Sequence, residues 1–420
     1  MNKRPFFRLL PLLFIATLAV GLSSQKQAGA SDNPTAIEPC VGGFADIYPC
    51  ENTVMYSRLP LANMGGGSGN DIWGWTDPDT SREYALVGRS NGTAFVDITD
   101  PVNPVYLGNL PTHTSSSIWR DIKTYGNYAF IVSEASGHGI QVFDLTQLRN
   151  IPSPPVTFSN TAHYSGFGSA HNIVINEDSG YAYGVGTNTC AGGLHMVDIS
   201  SPESPTNAGC FSADGYTHDA QCVNYTGPDS DHQGKEICFN SNEDTLTIVD
   251  VSAKSTPVQL ARQGYAGSGY AHQGWLTEDQ QYFLMDDELD ELSSGNNTRT
   301  YIWNVSDLDA PVLIGNYTAA TAATDHNLYV RGQYVYQGNY QAGLRVLSLA
   351  NISHGILSEV AYFDTFPANN NAGFNGVWSI YPYFDSDKVI INDQSRGLFV
   401  VSVGQFGDFR LHLPIVTNGQ

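Results

Sequence analysis

One short line of residues recurs seven times along the chain. Its copies read GTAFVDITDP at Gly92–Pro101, GIQVFDLTQ at Gly139–Gln147, GLHMVDISSP at Gly193–Pro202 and TLTIVDVS at Thr245–Ser252. They continue as TYIWNVSD at Thr300–Asp307, GLRVLSLA at Gly343–Ala350 and GLFVVSVG at Gly397–Gly404. The period is about 50 residues, which belongs to propellers and repeat arrays rather than to two-layer enzyme folds. Each copy sits among β-branched and aromatic runs bounded by Gly, Pro, Asn and Asp, so the repeats read as strands and turns. No sustained helical periodicity is visible.

Within a repeat four strands can be traced. In the fifth, AHQGWLT opens polar and turns apolar, YFLMDD follows, TRTYIWNVSD alternates, and PVLIGNY closes the unit. Four strands iterated seven times specify an all-β, seven-bladed β-propeller over residues 54–403. First strands are expected near Asn70, Arg120, His171, His218, His272, His326 and Trp378. The seventh repeat has no Pro-led fourth strand. Val54-Met55-Tyr56-Ser57-Arg58-Leu59 resembles the fourth strands elsewhere, so ring closure by an N-terminal strand is expected.

The ends read differently. Residues 1–30 have a basic start, an apolar core from Leu9 to Leu22 and Ala28-Gly29-Ala30, which together read as a signal peptide cleaved near Ala30. Residues 31–53 form an N-terminal segment expected to carry one disulfide, and residues 404–420 a C-terminal tail with no sorting signal. No later run is long and apolar enough to span a bilayer. Secretion makes disulfides the default for the six Cys. The local pairs Cys40–Cys50, Cys190–Cys210 and Cys222–Cys238 are expected.

The formal charge is −22. Lys3, Arg4, Arg8 and Lys26 leave with the signal and no acid does, so the mature chain carries −26. Such a surface repels phosphate backbones, and nucleic acid is excluded as a partner. An extracellular protein, a carbohydrate or a small molecule remains open as ligand, and a monomer is expected. There is no nucleophile elbow, phosphate-binding Gly loop or helical zinc-protease motif.

The repeat lines match LVIVD repeats, and the chain from about Cys40 to Val403 resembles the bacterial choice-of-anchor B family of secreted propellers. HNLYVRGQYVYQGNYQAGLRVL at His326–Leu347 and MDDELDE at Met285–Glu291 carry the resemblance most specifically. It implies fold and location, not a reaction.

Chemistry is expected where first strands begin and where second strands turn into third, because those points share one face of a propeller. His171, His218, His272 and His326 stand in one register of four consecutive repeats. They should point the same way at the same height. Asp286, Asp287 and Glu288 should approach the same mouth. Neutral imidazoles suit Zn, Cu, Ni or Fe, and carboxylates suit Ca or Mn, so a divalent metal is the candidate cofactor. Asp121 and Asp219, next along their strands, are expected to support ligands rather than bind. The structural alternative is that each His only bonds a neighbouring blade. Function follows as a secreted propeller binding a ligand or partner on this face. The alternative is a metal-dependent extracellular hydrolase or oxidoreductase using the same cluster. The repeated Asp97, Asp144, Asp198 and Asp250 read as turn caps. Asp229-Ser230-Asp231-His232 resembles the start of a calcium loop but has Asn240 where the final acid belongs, and reads as a solvated hairpin.

Overall fold

The computed structural model describes residues 37–404; the expected signal peptide and most of the tail lie outside them. Seven sheets follow one another along the chain, antiparallel except where Val156–Thr157 adds parallel to Val105–Pro111. Blade one, for example, comprises Gly69–Thr76, Glu83–Arg89, Gly92–Asp97 and Val105–Pro111. The first strands of blades two to seven are Arg120–Tyr125, Asn172–Asn176, Asp219–Asn224, Ala271–Leu276, Asn327–Arg331 and Val377–Tyr381.

Burial explains the sequence pattern. A second strand such as Glu83–Arg89 is buried at every position, because a neighbouring blade covers each face. The fourth strand Val312–Thr318 lies at the rim and is half-exposed. Register slips between third and fourth strands at the same place in six blades, Phe95/Val96, Met196/Val197, Ile248/Val249, Ile302/Trp303, Val346/Leu347 and Val400/Val401, and blade six slips again at Ser348/Asn351. A bulge there adds right-handed twist where the blade fans outward. The turn caps are in place as well. Backbone N–H groups two residues on donate to Asp97, Asp144, Asp198 and Asp250 at 2.9–3.0 Å.

The ring closes as the sequence implies. Thr53–Leu59 pairs antiparallel with Gly397–Val403 and supplies the fourth strand of blade seven. Its alternating burial places Thr53, Met55, Ser57 and Leu59 inward. The segment before it is part of the ring rather than a separate appendage. Glu38–Pro39 extends blade seven, while Tyr48–Glu51 pairs with Ile356–Phe363 and extends blade six. All three expected disulfides are present. Cys222 and Cys238 are direct cross-strand partners.

Blades are stapled along the channel. The residue after the His register reaches into the next blade: Asp71 accepts from Ile122 N at 3.0 Å and Asp121 from Ile173 N at 2.7 Å. Gln273 accepts from Leu328 N at 2.9 Å. Asp219 breaks the pattern, and Gln221 takes its place on Leu276 N at 2.7 Å. No helix among the described residues is long and apolar enough to cross a membrane.

Candidate metal centre at the channel mouth

The four His open or immediately precede their first strands, and their rings run as a continuous arc. Ring centroids of His171 and His218 are 4.2 Å apart, His218 and His272 4.2 Å, and His272 and His326 4.4 Å. The arc borders a cavity of about 10 Å3, room for a single atom-sized occupant. Trp378 continues the register into blade seven and packs on His326 at 5.0 Å.

Every Nδ1 in the arc bonds a carboxylate or a backbone carbonyl rather than another ring. His171 Nδ1 meets Glu134 at 2.6 Å, and His218 Nδ1 meets the carbonyl of His272 at 2.9 Å. His272 Nδ1 lies 3.3 Å from Asp286, and His326 Nδ1 bonds the carbonyl of Trp378. Two of these partners are backbone groups of the following blade, as the structural alternative requires. Yet the rings also share one cavity, which that alternative does not require. A ring anchored through Nδ1 has its tautomer and orientation fixed and its Nε2 free for a ligand.

The carboxylates separate. Glu288 joins the arc: its Oε1 lies 3.9 Å from His326 Nε2 and accepts from the Tyr340 hydroxyl at 2.8 Å. Donor atoms of His272, Glu288 and His326 all lie within 4.8 Å of one another. Asp286 stands behind His272 and caps Gln273 N at 2.8 Å, a supporting position rather than a facing one. Asp287 does not face the mouth. It accepts from the Tyr265 hydroxyl at 2.7 Å and from the N–H groups of Gly269 and Tyr270 at 2.8 and 2.6 Å, because the turn before the strand folds over it. Asp121 caps blade three, and Asp219 caps its own strand at Ala220 N, so neither touches an imidazole.

Burial sets the protonation states. It pushes His218 and His272 well below the usual imidazole range, and His326 down to about 3. These rings are neutral, which is the ligating form. Burial also pushes Glu288 up to about 7, with the Tyr340 hydroxyl opposing. Arg120 of blade two lines the same cavity. Arg120 is buried and its Nη1 lies 3.2 Å from His138 Nε2. Next to it His113 stacks on His163 at 3.8 Å. Sequence reading missed this second group, since its members fall at three different repeat positions.

Two further sites lie on the other side. Asp229, His232 and Asp309 have donor atoms within 4.8 Å of one another, with His232 Nε2 3.1 Å from Asp309. Asp229 also caps Leu308 N at 2.9 Å, so the hairpin is anchored to the next blade rather than loose in solvent. The far end of the channel widens to a cavity of about 230 Å3 beside Trp73, Lys123, Trp275 and Tyr329.

Comparison with known proteins agrees with this architecture. A family model described as LVIVD repeat matches residues 80–112, 119–137, 167–212 and 239–262. No curated protein matches the chain. The β-propeller domain of Cps50 (Swd1) from Myceliophteria thermophila is 13% identical with a TM-score of 0.54, over 81% of this chain and 97% of that one. Hydrazine synthase from Kuenenia stuttgartiensis is 12% identical with a TM-score of 0.54, over 77% and 93%. At such identities the likeness is one of fold. The chain is a seven-bladed β-propeller that carries LVIVD repeats.

Proposed function

We propose that the protein is a secreted propeller that holds a transition-metal ion at the channel mouth through His272, His326 and Glu288 and presents it to an extracellular ligand or partner. The observation that carries this reading is the state of the imidazoles. They are neutral, anchored through Nδ1 and gathered with Glu288 so that their donor atoms lie within 4.8 Å of one another. Two imidazoles and a carboxylate are a donor set that zinc accepts, with bonds of about 2.0–2.2 Å and a fourth position open. Asp286 would support His272, and His218 would flank the ion. Calcium is disfavoured here, because it takes oxygen ligands. Export belongs to the same reading: three disulfides suit an oxidising compartment. N-terminal sequencing of the exported chain should begin at Ser31.

The test is metal content of protein purified without chelator or nickel. About one transition-metal ion per chain is expected after equilibration with micromolar zinc or copper. His272→Ala with His326→Ala should lose it while the strand signature in circular dichroism stays. Wild-type protein that retains no metal, or a double variant that retains as much, overturns the reading. A hydrolase or oxidoreductase would use the same three ligands, and turnover by the metal-loaded protein would separate it from a binder.

A further inference from the structure

The loop that delivers Glu288 carries more acid than the mouth uses. MDDELDE at Met285–Glu291 ends the second strand of blade five and runs into a single helical turn, Asp290–Ser294. Asp286, Asp287, Asp290 and Glu291 are all buried, and Asp325 of the neighbouring blade is buried beside them. Asp287 is satisfied by the three donors already described. The others are not. Asp286 Oδ2, Asp290 Oδ1, both oxygens of Glu291 and Asp325 Oδ1 have no hydrogen-bond partner. Gln337, which donates to Thr300 at 2.6 Å, leaves its Oε1 without a partner too. Every orphan here is an oxygen acceptor. The cation beside them is Arg299, 3.5 Å from Asp290 Oδ2.

Burying a carboxylate without a donor or a counter-charge is strongly destabilising even after relaxation. A polar network that had been built to stand alone would pair donors with acceptors. This one pairs acceptors with acceptors. Burial, reinforced by the neighbouring Asp290 carboxylate, pushes Glu291 to about 9. A proton shared between Asp290 and Glu291 satisfies that pair and leaves the acceptors of Asp286, Asp325 and Gln337 without a donor. A hard cation resolves them together. We propose that the space between blades five and six bounded by Asp286, Asp290, Glu291 and Asp325 is a calcium site.

Oxygen-only donors, several of them anionic, are what calcium takes at about 2.3–2.6 Å, with amide oxygens and water completing six to eight ligands. Gln337 Oε1 is a neutral candidate of that kind. The four carboxylates do not gather three donor atoms within 4.8 Å of one another, as His272, Glu288 and His326 do. Calcium would draw them together and fix the loop that bears Glu288. Asp286 is shared with the metal centre through His272, but calcium does not favour the imidazoles themselves.

The experiment uses the full chain freed of divalent ions with EGTA. Calorimetric titration with calcium chloride is expected to show one site of about 10⁻³ M or tighter, the range of extracellular modules. Calcium should also raise Tm. Glu291→Gln with Asp325→Asn should bind calcium at least tenfold more weakly and melt at the same temperature with and without it. His272→Ala with His326→Ala should bind calcium like wild type, which separates this site from the transition-metal centre. Terbium gives a readout that needs no variant. Emission sensitised through Tyr301, whose hydroxyl lies 3.3 Å from Asp290, should appear and be displaced by calcium. Wild-type protein showing no calcium heat, no Tm change and no sensitised emission overturns the proposal. So does calcium binding that survives the Gln/Asn substitutions intact.

Discussion

The Nζ of Lys123 lies 2.6 Å from Asp121 and 3.5 Å from Asp71, so one ammonium neutralises the two carboxylates that staple blade one to two and blade two to three. Both acids are buried, and the amine sits over the Trp73 ring at 4.6 Å. Removing one partner of a buried charge set leaves the rest uncompensated. Lys123→Met should therefore cost about 3–5 kcal/mol in urea denaturation. Adding Asp71→Asn should recover part of that loss. A cost under about 1 kcal/mol would mean that the staples hold without the amine.

Asp77 and Arg149 join the same two blades at the opposite face. The guanidinium donates to both carboxylate oxygens, from Nε at 2.7 Å and Nη2 at 2.5 Å. Burial opposes the charge, but Arg149, the Thr80 hydroxyl and the Asp79 N–H together hold Asp77 at about 2. A depressed carboxylate stabilises the fold above its unfolded value near 3.9, and that contribution disappears as pH falls through about 2. Arg149→Gln should destabilise the fold at neutral pH. The difference from wild type should shrink between pH 4 and 2. Denaturation midpoints at three pH values check this, and a difference that stays constant down to pH 2 contradicts it.

Much of this architecture was legible because repeats report on one another. A polar pair at the start of each first strand announces a ring position and a staple position at once: His272 turns to the mouth and Gln273 to the next blade. The His arc followed from register alone. Asp287 did not, because the turn at Gly269-Tyr270 folds back and supplies donors that no periodicity encodes. Asp325 was invisible for another reason. It lies 34 residues beyond Glu291 in the chain, and only packing of adjacent blades brings it to the acid loop. The N-terminal strap was missed because pairs of two to four residues are too short to leave a pattern.

Ring closure depends on residues that arrive first in the chain and pair with the last strand. Tyr48 and Met55 are each 1% exposed, Met55 against Gly397–Val403. Losing such side chains costs about 2–5 kcal/mol each. Together that approaches the total stability of an ordinary domain, about 5–15 kcal/mol. Deleting residues before Arg58 should therefore abolish cooperative unfolding and expose an unpaired edge to aggregation. A truncated chain that remains monomeric and melts as one unit would show that the ring tolerates an open last blade.

The disulfide Cys40–Cys50 sits where this strap divides. Cys40 N donates to the Thr53 carbonyl at 3.1 Å on the blade-seven edge, while Cys50 pairs with Phe363 on the blade-six edge. The bridge thus ties the outer edges of two adjacent blades across their seam. A crosslink closing so short a loop contributes about 2–3 kcal/mol. Its loss should act locally, because the inner strands of both blades are held by their own ladders. Cys40→Ala with Cys50→Ala should lower stability by no more than that amount. It should speed amide exchange at Tyr362 and Phe363 and at Val54 and Met55, while leaving the second strand of blade one protected. Uniformly faster exchange around the ring would place the bridge in global stability instead. Unchanged exchange at both edges would show that the strap holds them without the bridge.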